Sequence, residues 1–410
     1  MTPTWREGEA ADAVLGLVPR RVYEPSSTAE AAAVLAEAAA DGLALAPVGG
    51  GTALGLGARP RTLDAVVRTA RLDRILEYAP ADMVLVAEAG VTLAQLQAAT
   101  AAHGQRLALD APHPTRATVG GLVAVGASGP LRARAGGIRE LIIGVSLVRA
   151  DGSVARSGGK VVKNVAGYDL PKLACGSLGT LGLVASANFR LHPLPEARAM
   201  VRLPGLTPAQ VPALLLRARD AQLEPAAAFA LRTGPGDYEL AILFEGFAAG
   251  VAQQVARLQE LARLAGRASD VLSEAAALAQ RARHDAVREG TLVCARLSAP
   301  PSRFEALDAA LAPALEALQG AAFTWYPTAG LGWVSGATGE VPALSAALSG
   351  ARQVAVGLGG TLVLEAAPDG VRERIDAWGP PPSSLHLMER LKRTFDPRGL
   401  LNPGRFVGGL

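Results

Sequence analysis

The stretch "APVGGGTALG", residues 46–55, sets three consecutive glycines directly behind an apolar run, Leu43–Val48, that reads as a buried strand. Glycine tolerates positive φ and lets another group approach the backbone closely. A loop of successive amides can therefore form a concave nest for an anion such as a pyrophosphate, with the Thr52 hydroxyl as a further donor. The pattern is neither GxGxxG opening a helix nor GxxxxGK[ST], which argues against a Rossmann dinucleotide site and a P-loop. A plain tight turn would use the same glycines.

Outward from that loop, Ser27 and Glu30 stand at capping-box spacing and predict a helix over Ser27–Asp41 ahead of the strand. Apolar runs at Ala65–Val67 and Met83–Ala87 read as strands. Thr92 with Gln95 opens a second helix that ends near His103 and Gly104. In "ELIIGVSLVRADGSVARS", residues 140–157, Asp151-Gly152 separates two apolar stretches and predicts a hairpin, so the sheet is mixed. After Leu170 a helix carries Leu173 and Leu178, and a strand at Ala185–Leu191 leads into the proline-punctuated "HPLPEA", where a domain boundary is expected. Beyond about Ala199 the strands "YELAILFEG" and "TLVCARLSA" alternate with Ala/Leu/Arg helices at Val251–Leu264 and Phe304–Leu318. That alternation predicts an antiparallel sheet with helices on one face. A last helix stops at Asp396-Pro397.

Two further stretches carry candidate chemistry. "DAPHPTRATVGGLVAVGASGP", residues 110–130, lacks bulky side chains over most of its length, as a segment lying flat along an extended ligand requires; close helix packing would account for Val123–Ala127. "GGKVVKNVAGYDLPKLACGSLGTLG", residues 158–182, holds Lys160, Lys163 and Lys172, three of only four lysines among 40 basic residues. A compact ammonium there could stabilise an anionic ligand ring, although clustered surface lysines give the same pattern.

In combination, "PVGGGT", "TVGGLVAVGASGP", "VVKNVAGYDLPKLACGSLGTLG" and the terminal "FDPRGLLNPGRF" resemble the FAD-linked oxidases with a PCMH-type flavin domain, and among them the E subunits of glycolate oxidases. The resemblance implies an α+β chain: a PCMH-type FAD-binding α/β domain at 18–195, an α+β cap domain at 196–385, and a C-terminal segment at 386–410 that returns to the FAD domain. It implies that Pro47, Val48, Gly49, Gly50, Gly51 and Thr52 hold the FAD pyrophosphate. Pro112, Thr118, Gly120, Gly121, Ala124, Ser128 and Gly129 would run along the ribityl and adenosine portion, Gly179, Thr180 and Gly182 would lie near the adenine, and Asn402 near the isoalloxazine ring. Some relatives attach FAD through a first-loop histidine; residues 49–53 contain none, so the FAD is expected to be non-covalent.

Oxidising a 2-hydroxy acid needs a base for the hydroxyl proton and cations for the carboxylate. The five histidines, His103, His113, His192, His284 and His386, show no metal-ligand spacing, so no cap metal site is expected. Catalytic candidates are His113, Lys160 and Lys163, with a packing role expected for His386. The resemblance implies an FAD-binding subunit acting on glycolate or a similar 2-hydroxy acid beside a related FAD-binding D subunit and an iron–sulfur F subunit. A stand-alone D-2-hydroxy-acid dehydrogenase and a structural subunit with a degenerate flavin site are the alternatives.

The remaining features narrow the setting. Forty basic residues against 37 acidic ones, without a charge run, do not indicate nucleic-acid binding. Cys175 and Cys294 match no metal or redox spacing and read as small buried hydrophobes of a reducing compartment. Arg6, Glu7, Glu9 and Asp12 interrupt any signal peptide, and no stretch has the length of a membrane span. A cytoplasmic protein is expected, peripheral at the inner membrane only through its complex.

Overall fold

A computed structural model describes residues 3–160, 167–289 and 291–410. The chain forms two compact units, one of residues 1–129, 136–194 and 380–410, the other of 130–135 and 195–379.

In the first unit the helix Thr28–Asp41 starts at Ser27, whose side chain accepts from the Glu30 amide, and ends at Gly42 in the left-handed conformation. The expected capping box is displaced by one residue, because the Glu30 carboxylate takes the Ser26 amide and hydroxyl. Alanine and valine positions of this helix pack on a four-stranded sheet ordered Trp5–Glu7, Arg21–Tyr23, Ala65–Arg68, Leu45–Val48. The first pair is antiparallel and the others are parallel. Leu45–Val48 is thus an edge, and Leu401 of the C-terminal segment bridges to Leu45 along it.

A second sheet, ordered Ile75–Ala79, Val84–Glu88, Leu183–Arg190, Ile142–Val148, Val154–Gly158, is antiparallel throughout. Its last pair is the Asp151-Gly152 hairpin, in which Gly152 takes φ +80°. Short helices at Leu93–Ala101, Val119–Val125, Ile138–Leu141 and Leu170–Ala174 bury Leu96, Leu122, Val123, Leu141 and Ala174 in one core with this sheet. Leu178 is not on a helix: the helix ends at Ala174, and Leu178 sits in a turn at φ +51°.

The second unit is an eight-stranded antiparallel sheet ordered Asp270–Val271, Ala197–Leu206, Asp237–Gly246, Ala227–Gly234, Leu318–Tyr326, Leu331–Thr338, Val293–Ser298, Thr361–Ala366. The period-2 alternation of its strands turns Val201, Leu240, Ala230, Trp325, Val334, Ala295 and Leu364 to one face. There the helices Gln210–Asp220, Ala248–Leu264, Phe304–Ala317 and Val341–Gly357 complete the larger core. Helices on one face alone do not describe it. The helix Glu274–Ala286 packs on the opposite face, with His284 against Phe229 and Tyr326.

Candidate functional site: an assembly of glycine loops

In the first unit, four segments far apart in sequence meet at the end of the strand Leu45–Val48. Gly51 takes φ +69°, as a nest-forming turn requires. Among the described residues, the backbone N–H groups of Gly49, Gly50, Gly51 and Thr52 find no acceptor. Four successive unpaired donors suit the oxygen-rich diphosphate of a dinucleotide.

The glycines of this loop have a second cause that the sequence did not show. A Cβ on Gly49 would strike the Thr118 hydroxyl, and one on Gly50 would overlap the Arg116 carbonyl. Arg116 in turn donates to the Gly50 carbonyl at 3.3 Å. The first two loops therefore close on each other, and Gly49 and Gly50 are small because protein backbone, not only a ligand, lies against them.

The second loop is pinned from behind. Val119 and Gly120 donate to the Val91 and Ala89 carbonyls at 2.8 Å each, so the Gly120 amide is spent inside the protein. A Cβ on Gly120 would press on Ala89 at 2.9 Å, and one on Gly129 would strike Asp110. The Thr118 side chain is buried with its Oγ1 unpartnered, and a Cβ on Gly121 would lie 3.3 Å from that oxygen. A buried hydroxyl without a partner costs on the order of 1–3 kcal/mol, which a ligand acceptor would recover. Thr69 Oγ1, on the turn whose amide bonds the Val48 carbonyl, is buried and unpartnered in the same way.

The third segment joins the second through Leu178 N–H to the Ala124 carbonyl, at 2.8 Å, and Gly176 N–H to the Val123 carbonyl, at 3.0 Å. Gly179, at φ +69°, faces Pro47 and Asn402, with distances of 3.3 and 3.4 Å from its Cβ direction. Thr180 is buried with its hydroxyl bonded to the Ser177 carbonyl, and Gly182 is small because the Leu147 side chain fills the adjacent space. Pro112 and Ser128 flank the second loop, half-buried and buried respectively.

The C-terminal segment locks these parts together. Asn402, in the left-handed conformation, donates its side-chain amide to the Leu178 carbonyl at 2.6 Å and leaves its buried Oδ1 unpartnered. Arg405 donates to the Leu54 and Leu56 carbonyls and so holds the far end of the first loop. Lys392 is buried, and its ammonium donates to the Thr180 carbonyl, the Leu401 carbonyl and the Asp396 carboxylate at 2.8, 2.8 and 2.7 Å. Asp396 also accepts from the Leu400 and Leu401 amides. Burial pulls the Lys392 pKa below its ordinary value against the opposing pull of Asp396.

The catalytic candidates fare differently. Lys160 pairs with Glu77 at 2.5 Å on the exposed surface, and Lys172 pairs with Asp169 at 3.2 Å. Both serve surface carboxylates rather than the loops. Lys163 lies outside the described residues. His113 is half-buried at φ +54°, its carbonyl accepting the Arg116 and Ala117 amides, so it shapes the bend of the second loop. His386 is exposed on the terminal helix and its ring meets only the Ser383 carbonyl, which corrects the expected packing role. Cys294 is buried and Cys175 half-buried; burial pushes the Cys175 thiol up to about 12. No three His, Cys, Asp or Glu side chains gather as a metal site among the described residues.

Sequence reasoning missed Lys392, Asp396, Arg405 and Thr69. The signal for Lys392 was available: it is the fourth lysine, and Asp396 stands four residues on.

A nest of free amides, buried unpartnered hydroxyl and amide oxygens, and an α/β scaffold define a dinucleotide-binding module that is neither a Rossmann domain nor a P-loop. Residues 19–158 match the FAD binding domain family, and residues 379–406 match the C-terminal domain of FAD linked oxidases. The chain therefore carries an FAD-binding domain, and FAD is its cofactor. It is similar to the glycolate oxidase subunit GlcE of Escherichia coli, at 39% identity over 129 residues covering 31% of this chain and 37% of that protein. The D-lactate dehydrogenase of Archaeoglobus fulgidus is 36% identical over 185 residues, 45% of this chain and 41% of that protein. The glycolate oxidase subunit GlcD of Bacillus subtilis is 32% identical over 181 residues, 44% of this chain and 38% of that protein. The matched region thus spans about two fifths of these curated relatives. In fold the chain is similar to alkyldihydroxyacetonephosphate synthase, with a TM-score of 0.72 at 17% identity over 96% of this chain and 78% of that one.

Proposed function

We propose that this chain is an FAD-dependent oxidoreductase subunit that takes part in oxidising glycolate or a similar small 2-hydroxy acid to the 2-oxo acid. It works with a related FAD-binding D-type subunit and passes electrons to an iron–sulfur F-type partner. The observation that carries the FAD half is the row of unpaired amides at Gly49–Thr52 beside the orphaned Thr118 hydroxyl. The named relatives, two glycolate oxidase subunits and a D-lactate dehydrogenase, support the substrate class. The absence of a histidine at 49–53 excludes attachment at that loop and supports non-covalent FAD. Within the assembly, Thr118, Thr69 and Asn402 would hold polar groups of the cofactor, and the flavin would supply the hydride acceptor.

Among the described residues no helix is long and apolar enough to cross a membrane; the proposal puts the chain in the cytoplasm, with membrane association through its partners. The experiment is an anaerobic spectrum of the FAD-loaded chain, alone and with its co-purifying partners, before and after glycolate. Flavin reduction by the complex with little by the isolated chain supports the subunit reading. Full reduction of the isolated chain favours the stand-alone D-2-hydroxy-acid dehydrogenase, for which the similarity to D-lactate dehydrogenase speaks. A chain that takes up no FAD would be a structural subunit.

A further inference from the structure

The first loop of the first unit offers donors without charge. The free amides at Gly49–Thr52 are dipoles, and the orphaned Thr118 hydroxyl beside Gly49 is neutral too. A diphosphate brings negative charge into such a nest, and ionised groups are held best by hydrogen bonds that carry the opposite charge. A cation rooted at this loop therefore bears on what the loop can bind, and Arg116 is one.

Arg116 sits directly behind Gly50, whose Cβ direction meets the Arg116 carbonyl and comes within 3.5 Å of the Arg116 Cα. The turn that carries it is fixed at several points. The Arg116 and Ala117 amides donate to the His113 carbonyl at 2.9 and 2.7 Å, and the Leu93 and Ala94 amides donate to the Ala117 and Pro114 carbonyls at 2.9 and 2.8 Å. The root of the side chain is thus tied beside the loop, while the residue itself is exposed. Its head group is almost unspent. One N–H reaches the Gly50 carbonyl at 3.3 Å, and among the described residues the guanidinium has no other bond and no carboxylate partner. Neighbouring arginines of this unit are committed: Arg6 and Arg68 to Asp12, Arg74 to Glu88, Arg21 to Asp41. Arg405 is buried on the Leu54 and Leu56 carbonyls, and Arg61 reaches the Gly409 carbonyl.

We propose that Arg116 is the countercharge for the diphosphate of FAD, its guanidinium swinging from the Gly50 carbonyl onto the phosphoryl oxygens that the Gly49–Thr52 amides hold. The proposal rests on the assignment of the diphosphate to the first loop. The division of work is physical: the amides fix the position of the anion, and the arginine neutralises it. A planar guanidinium fork suits paired oxygens better than an ammonium does, and its rigid root spares part of the ordering cost. Because the head group is exposed, its contribution is modest and is screened by salt.

The test is equilibrium titration of FAD into the flavin-free full chain at several salt concentrations, in wild type, Arg116→Gln and Arg116→Lys, with Tm of each flavin-free chain as the check on folding. Arg116→Gln is expected to weaken FAD about fivefold to tenfold at low salt, with the gap to wild type closing as salt rises and with Tm unchanged. Arg116→Lys is expected to recover part of the loss, because it keeps the charge without the fork. Equal affinity of wild type and Arg116→Gln at every salt concentration overturns the proposal. So does a loss that is independent of salt and equal in the Gln and Lys variants, since that marks the tie to the Gly50 carbonyl as structural. If wild type itself takes up no FAD, the assignment of the diphosphate to the loop fails, and the countercharge falls with it.

Discussion

The glycine-loop assembly of the first unit and the polar sheet face of the second solve opposite problems. In the loops polar atoms are left open: four amides and the side-chain oxygens of Thr118, Thr69 and Asn402 have no protein partner, while the backbone around them is cross-tied. On the sheet face most of the polar atoms are joined to one another, His284 to Asp285 and Tyr326, Trp333 to Glu365. The first arrangement is unfinished without a ligand and should be stabilised by one. The second is largely self-satisfied and should respond to protonation instead.

The largest expected effect lies beneath the loops. Lys392→Met leaves Asp396 ionised and buried, and removal of one partner from such a pair costs about 3–5 kcal/mol. Tm and FAD content of the purified chain should both fall, whereas Lys392→Met combined with Asp396→Leu should recover much of the stability but not the tie to Thr180. Gly50→Val comes next. Its side chain would overlap the Arg116 carbonyl, and overpacking against backbone costs roughly 1–3 kcal/mol, enough to weaken FAD binding about tenfold to a hundredfold. FAD titration of the flavin-free variant reads it.

Thr118→Val sharpens the contrast. Loss of the hydroxyl should weaken FAD by about 1 kcal/mol while leaving the flavin-free chain as stable or slightly more so, because the lost group had no partner to begin with. Equal losses in the two states would mean that the hydroxyl is satisfied within the protein.

The smallest effect is expected on the sheet face under acid. Burial holds the His284 pKa below its ordinary 6.5, so the unfolded state takes up a proton first as pH falls. The stability this confers is present above 6.5 and is lost progressively below it. Hydrogen exchange should show Glu274–Ala286 opening on acidification before Thr28–Asp41 does.

Much of this was legible in the sequence. The strand-then-glycines pattern at 43–51, the Asp151-Gly152 hairpin and the Thr92/Gln95 capping box are local signals, and local chemistry decided them. The α+β alternation was readable for the same reason, whereas the FAD-binding domain came from the resemblance of four ordered motifs to the FAD-linked oxidases, since the glycine loop by itself reads equally as a tight turn. What was not legible depends on long-range contact. Nothing near Gly50 announces Arg116, and nothing near Thr180 announces Lys392, more than 200 residues away. The rarity of lysine was a sound clue applied to the wrong members: Lys160 and Lys172 meet surface carboxylates, whereas Lys392 is the buried one. His284 escaped notice because single-residue spacing cannot show that Tyr326, 42 positions on, would reach its ring.

The account stands most directly on one titration, FAD added to the flavin-free full chain, in wild type and in Thr118→Val and Gly50→Val. It predicts saturable binding by wild type that raises Tm, weaker binding by Thr118→Val and weaker still by Gly50→Val. Failure of wild type to bind, or equal affinity in all three chains, would contradict the assignment of FAD to the glycine loops.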